Sequence, residues 1–210
     1  MKIGITTRTF NSSTNAKLNA VPSTYINIIN EDNFPIIIDN NIDAIKNKEY
    51  LLNLIKDIDG FILGGGDETS EVDMFIIDYC YKNDIPLLGI CLGMQEIALY
   101  FNEKGLKKLN NLSHFDMNSD YLHTVKLNKK GYLYNLLKQD SIPVNSRHKY
   151  CVLNNKNFVI EGKCDNVIEA FKVKQKKYIL GVQFHPEIMY FYDNNAKQLF
   201  NDFFKACSKK

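Results

Sequence analysis

LLGICLGMQEIALYF, residues 87–101, carries the decisive local pattern. Pro86 stops whatever precedes it. LLGI at 87–90 is then a short apolar run that fits a buried strand. LGMQEIALYF at 92–101 reads as a helix. One residue between them, Cys91, stands on the reversal, with Gly89 and Gly93 two positions to either side. Small residues there let the chain fold back without clashing, which is the G-x-S-x-G elbow with sulfur in place of oxygen. A side chain at the apex sits at a helix N-terminus, where the dipole and free N–H groups favour thiolate.

Moving toward the N-terminus, the same alternation repeats. Residues 2–7 read as a strand and 23–31 as a helix with Tyr25, Ile28 and Ile29 on one face. Residues 34–38 form a β-branched run, and 45–55 carry Leu51, Leu52 and Ile55 at helical spacing. Residues 60–63 are a strand ending in Gly64-Gly65-Gly66. Val72, Phe75, Ile76, Tyr79 and Cys80 mark one helix face. Strand–helix repetition implies right-handed crossovers and a parallel sheet. The second half is richer in strands, at 121–127, 158–162, 167–173 and 178–184, with a hairpin tip at 174–177. An amphipathic helix with Ala196, Leu199, Phe200, Phe203, Phe204 and Cys207 closes the chain. Residues 105–119 show no clear period. The expectation is an α/β chain of one domain, 1–210, with a mostly parallel central sheet flanked by helices.

Composition narrows the function. The 210 residues are 45% hydrophobic and 24% charged, with a formal net charge of +2. That is ordinary for a globular protein and gives no basis for a nucleic-acid or membrane partner. No stretch approaches the ~18 apolar residues of a membrane span. Five cysteines without CxxC or paired spacing argue against a disulfide framework and against a zinc site. With no apolar leader, the cytoplasm is the expected compartment.

A cysteine nucleophile needs a base. FHPE at 184–187 follows the last strand reading, and residues two apart in an extended segment share a direction. Glu187 is thus placed to orient His185, leaving the other ring nitrogen for Cys91. Acyl transfer also needs oxyanion donors. The N–H of Leu92 and one from the Gly64–Gly66 loop are the candidates, since glycine permits close backbone approach.

GICLGMQ at 89–95 and GVQFHPE at 181–187 resemble the class I glutamine amidotransferase superfamily, whose fold is flavodoxin-like. FILGGGDE at 61–68 is similar to its oxyanion strand. MKIGIT at the start and VNSRHKY at 144–150 resemble the γ-glutamyl hydrolase branch, which acts on amides such as γ-glutamyl-GABA. That branch often carries VNSxHxQ; here Tyr150 stands where Gln is usual. The resemblance implies Cys91 as nucleophile, His185 as base, Glu187 as orienter, and Gly65 (with Gly64 as neighbour) and Leu92 as oxyanion donors. It also implies Gln95, Ser146 and His148 as glutamyl contacts, and a γ-glutamyl thioester chemistry that needs no metal or organic cofactor. His123 resembles a structural strand position, and His114 carries no signal.

Only two of the 26 basic residues are arginines, Arg8 and Arg147. Ligands gather at the carboxyl ends of strands in open α/β sheets, so both arginines, with Lys149, are expected to flank the pocket. Arginine suits carboxylate or phosphate. A small-molecule substrate with a phosphate-bearing leaving group, such as the γ-glutamyl-CDP-amidate of bacterial capsule phosphoramidate pathways, would use them. The alternative is the glutaminase half of a two-protein amidotransferase, which hands ammonia to a partner synthase.

Overall fold

The apolar runs of the first half become neighbouring parallel strands. In this computed structural model, which describes residues 1–14, 16–110 and 113–208, the first half runs as follows. It comprises β1 (Lys2–Thr6), β2 (Arg8–Asn11), β3 (Lys17–Ala20), α1 (Ser23–Asn30), β4 (Phe34–Ile38), α2 (Lys48–Ile55), β5 (Gly60–Leu63), α3 (Glu71–Asn83), β6 (Leu87–Ile90) and α4 (Leu92–Phe101). The second half comprises β7 (Leu106–Lys108), β8 (His123–Leu127), α5 (Tyr132–Leu137), β9 (Ser141–Val144), β10 (Tyr150–Val152), β11 (Phe158–Cys164), β12 (Val167–Val173), β13 (Ile179–Val182), α6 (Pro186–Met189) and α7 (Asn194–Cys207).

The main sheet has the order β4-β1-β5-β6-β13-β12-β11-β8-β9. From β4 to β13 the pairings are parallel, and beyond β13 they are antiparallel. The mostly parallel α/β sheet flanked by helices is therefore present, with the strand-rich half as its antiparallel extension. β5 and β6 are buried at every position, as crossover helices on both faces require. Ile28, Ile29, Phe200 and Phe203 of α1 and α7 pack one face. Leu51, Ile55, Val72, Ile76 and Ile97 of α2, α3 and α4 pack the other. Ser70 caps α3 by accepting from the Asp73 N–H, and Asp193 caps α7 by accepting from that of Ala196.

Several boundaries differ from the sequence expectation. The helix expected from 45 begins at Lys48, because the Asp43 side chain accepts from the Lys46 N–H in a local turn and Ile45 is exposed. The β2–β3 hairpin was unforeseen; its residues, apart from Arg8, are exposed and lack a buried stripe. In the stretch 105–119, β7 pairs with β10, while residues 111 and 112 lie outside the described ones. In the run 189–192, Met189 and Tyr190 are buried, Phe191 and Tyr192 exposed. Among the described residues no helix is long and apolar enough to cross a membrane.

The glycines around Cys91 are there for want of space. A Cβ on Gly89 would meet the Gly93 carbonyl at 2.7 Å, and one on Gly93 would fall onto the backbone of Leu63 in β5. These neighbours are backbone and cannot swing away. Gly93→Ala is expected to lose about 1–3 kcal/mol by overpacking. Chemical denaturation would read this, and unchanged stability would show that β5 and α4 separate freely.

Candidate active site

The turn at Cys91 is forced into a rare conformation. Its φ is 52° and ψ −102°, while its N–H donates to Val182 O at 2.8 Å and its carbonyl accepts from Gln95 at 3.1 Å. Strand β13 and helix α4 thus grip the residue from both sides. Only 7% of Cys91 is exposed.

β13 ends at Val182, and the segment after it delivers His185 to the sulfur. Asn145 holds this segment from the side: its Nδ2 donates to His185 O at 2.9 Å, and His185 N–H donates to its Oδ1 at 2.8 Å. The His185 ring places Nδ1 2.7 Å from Glu187 Oε1 and makes a hydrogen bond with the Cys91 sulfur. Nδ1 is occupied by the carboxylate, so Nε2 serves the sulfur. Burial alone would favour a neutral ring. Glu187 and Cys91 outweigh it and raise the His185 pKa well above the usual imidazole value. Cys91, His185 and Glu187 are therefore brought together as the sequence implied.

Gly65 closes the other side. A Cβ there would lie 2.6 Å from His185 Cε1 and 3.6 Å from Cys91 Cβ. Its N–H donates at 3.4 Å to the hydroxyl of Tyr25, which is buried and influenced by both Glu187 and Cys91. Burial first, then the Glu187 carboxylate, raises the Tyr25 pKa well above that of a free phenol. Leu92 is the first residue of α4, so its N–H has no acceptor within the helix. Gly65 and Leu92 thus both lie beside Cys91.

Arg8 does something else. It was expected to meet substrate; instead it is 3% exposed and pairs with buried Asp73 and with Glu96 at 3.0 Å. Its Nη2 also donates to Gly64 O at 2.8 Å. Since carbonyl and N–H point opposite ways across a trans peptide, fixing Gly64 O fixes the direction of the Gly65 N–H. Burial, with Asp73 beside it, pushes Glu96 well above the usual carboxylate range despite Arg8. Arg8 is thus a positioning residue, and its carboxylate partners leave no free fork for an anion.

Ser146 and His148 bond to groups of the protein itself. The Ser146 hydroxyl donates to His114 O at 2.6 Å and is fully buried. His148 is buried, with Nδ1 on Tyr150 O at 2.9 Å and Nε2 turned to Glu169. Both side chains brace the loop from within the protein. Arg147 pairs through its backbone with Phe115, and Lys149 lies over the Phe115 ring. Gln95 is 7% exposed and donates weakly to Tyr150 O at 3.4 Å and Gln183 Oε1 at 3.3 Å. Tyr25, Asn145, Gln183, Asp73 and Glu96 went unremarked as site residues. Asn145 and Gln183 lie inside the quoted motifs, whereas Tyr25, Asp73 and Glu96 look like ordinary helix positions.

The fold and site agree with what the chain resembles. A family model described as Peptidase C26 matches residues 67–187, more than half of the chain. The chain belongs to the Peptidase C26 family. A CTP synthase of Bacillus thuringiensis is 28% identical over 193 residues, an alignment covering 75% of this chain and 36% of that protein. The chain thus spans about a third of the length of the curated relatives it matches. A Thermoplasma acidophilum protein, provisionally assigned to GMP synthase as one of its subunits, shares the fold with a TM-score of 0.72 and 22% identity, over 99% of this chain and 94% of that one. The glutaminase domain of Trypanosoma brucei CTPS with bound acivicin superposes with a TM-score of 0.68 and 19% identity, over 100% and 94%.

Two outcomes test this geometry. Glu187→Gln removes the charge that favours imidazolium, so the His185 pKa is expected to fall, read from its ring proton shifts against pH; an unmoved value would mean Glu187 does not govern the ring. Arg8→Met strands Asp73 and Glu96 in the interior and is expected to cost about 3–5 kcal/mol. A denaturation midpoint equal to wild type would show the network to be dispensable.

Proposed function

We propose that residues 1–210 form a single hydrolase domain that cleaves a γ-glutamyl amide and releases L-glutamate. The observation that carries this reading is the His185 ring held between Glu187 Oε1 at 2.7 Å and the Cys91 sulfur, beside Gly65. In this reading His185 takes the thiol proton and the Cys91 sulfur attacks the γ-carbonyl. The N–H groups of Gly65 and Leu92 receive the oxyanion, the charged acceptor displacing the long bond to Tyr25. His185 then protonates the leaving amine, giving a γ-glutamyl thioester, and activates the water that hydrolyses it. Family membership supports amide hydrolysis without naming the substrate.

The substrate is a small molecule, and we take the protein to work in the cytoplasm without nucleic acid or membrane. With Arg8 committed to Asp73 and Glu96, Arg147 is the arginine left to meet a phosphate-bearing leaving group such as that of γ-glutamyl-CDP-amidate. A second reading is favoured by the likeness to CTP synthase and to a glutaminase domain: a glutaminase that passes ammonia to a partner synthase.

The test is glutamate release by the purified chain from glutamine, γ-glutamyl-GABA and γ-glutamyl-CDP-amidate. Release is expected and is lost in Cys91→Ala. Silence with all three, relieved by a synthase, would replace the hydrolase by the glutaminase reading. Arg147→Ala is expected to lower kcat/KM for the phosphate-bearing substrate about tenfold or more relative to glutamine, the weight of one lost charge-assisted bond. An equal effect on both would remove Arg147 from leaving-group recognition.

A further inference from the structure

Behind the loop that carries Asn145 lies a second constellation, outside the catalytic chemistry. Three of the four histidines of the chain converge on one carboxylate oxygen. His114 Nδ1, His148 Nε2 and His123 Nε2 lie 3.1, 3.4 and 3.5 Å from Glu169 Oε1. Glu169 is fully buried, His148 is 3% exposed and His114 5%. Among the described residues, these three ring nitrogens and both Glu169 oxygens lack a hydrogen bond of normal geometry. Buried polar atoms are almost always satisfied, so five in one spot, aimed at each other, need an explanation. Neutralising a carboxylate takes one imidazolium; three rings on one oxygen exceed what an ion pair needs.

From this cluster we propose that His114, His148 and Glu169 are the ligands of a divalent transition-metal site of the zinc type, with His123 packed against the same carboxylate oxygen. The separations fit. Ligand atoms ~2.0–2.1 Å from a tetrahedral Zn2+ stand about 3.3–3.4 Å apart. The ligand atoms of His114, His148 and Glu169 all fall within 4.8 Å of one another. Imidazole with one carboxylate is a donor set that Zn2+ accepts. The outer partners fit too. A metal-bound imidazole normally donates its other N–H to a carbonyl or carboxylate. His148 Nδ1 lies 2.9 Å from Tyr150 O, the carbonyl that also accepts from Gln95. A cleft of about 470 Å³ lined by Ser113, His114 and Ile168 gives access to the cluster. Cys164 lies near His114 and His123 in a separate grouping that does not include Glu169.

Three protein ligands leave the fourth position to water. The metal would tie the segment before β8 and the 145–149 loop to β12. That loop bears Asn145, which clamps His185, so the ion would act on catalysis by positioning. The cysteine spacing that argued against zinc has no bearing on a histidine–glutamate set, whose members are scattered over three segments.

The experiment is a Zn2+ titration of the chelator-stripped full chain, with Tm and the visible spectrum of the Co2+ form alongside. The expected result is about one ion bound per chain, a Tm raised by several degrees, and an intense tetrahedral Co2+ spectrum. His114→Ala and His148→Ala are expected to lose binding at least tenfold, while Cys91→Ala binds as wild type does. X-ray absorption of the wild-type Zn2+ form covers the case in which the histidine variants fail to fold: nitrogen and oxygen neighbours alone are expected. The proposal is overturned if the wild type binds no stoichiometric ion. It is overturned equally if binding is lost in Cys91→Ala, or if a sulfur neighbour appears at ~2.3 Å.

Discussion

Everything in the site depends on one residue held at a positive φ without being glycine. Cys91 at φ 52° and ψ −102° occupies a conformation that costs on the order of 1–3 kcal/mol. That strain persists because the surroundings over-determine it. Val182 O takes the Cys91 N–H, α4 takes its carbonyl, and Gly89 and Gly93 leave no room for another path. The parallel register of β6 with β5 and β13 then decides which loops meet the sulfur. β5 ends in the glycine loop, and β13 runs into His185. The candidate triad and both candidate oxyanion donors are thus consequences of adjacent strand ends.

The polar groups just behind these strand ends form a rigid backing. Arg8 and its two buried carboxylates hold the Gly64 carbonyl, and Asn145 holds both backbone groups of His185. Tyr25 stands between Gly65 and Glu187. None of these side chains is exposed, so their contribution is to geometry. Such a backing makes a reacting group precise at the cost of burying charge, which is tolerable only where every partner is present.

The legibility of this molecule from its sequence follows from how local each signal is. Gly-Ile-Cys-Leu-Gly and His-Pro-Glu encode turns within a few residues, so Cys91, His185 and Glu187 could be read directly. The buried strands β5, β6 and β12 have the expected bounds because apolar runs between breakers leave few alternatives. Arg8 was misread because its partners, Asp73 and Glu96, come from α3 and α4, and only the sheet order brings them together. The partners of Ser146 and His148, His114 and Glu169, likewise come from other segments and left no local signal. The β2–β3 hairpin has no buried stripe and so left no periodic trace.

The most direct measurement is the intact mass, with peptide mapping, of protein quenched in acid during turnover of a γ-glutamyl amide. A single glutamyl acyl group on the peptide containing Cys91, absent from Cys91→Ala, is the result this account requires. Glutamate release with no acyl group on Cys91, or with the group on another residue, would contradict it.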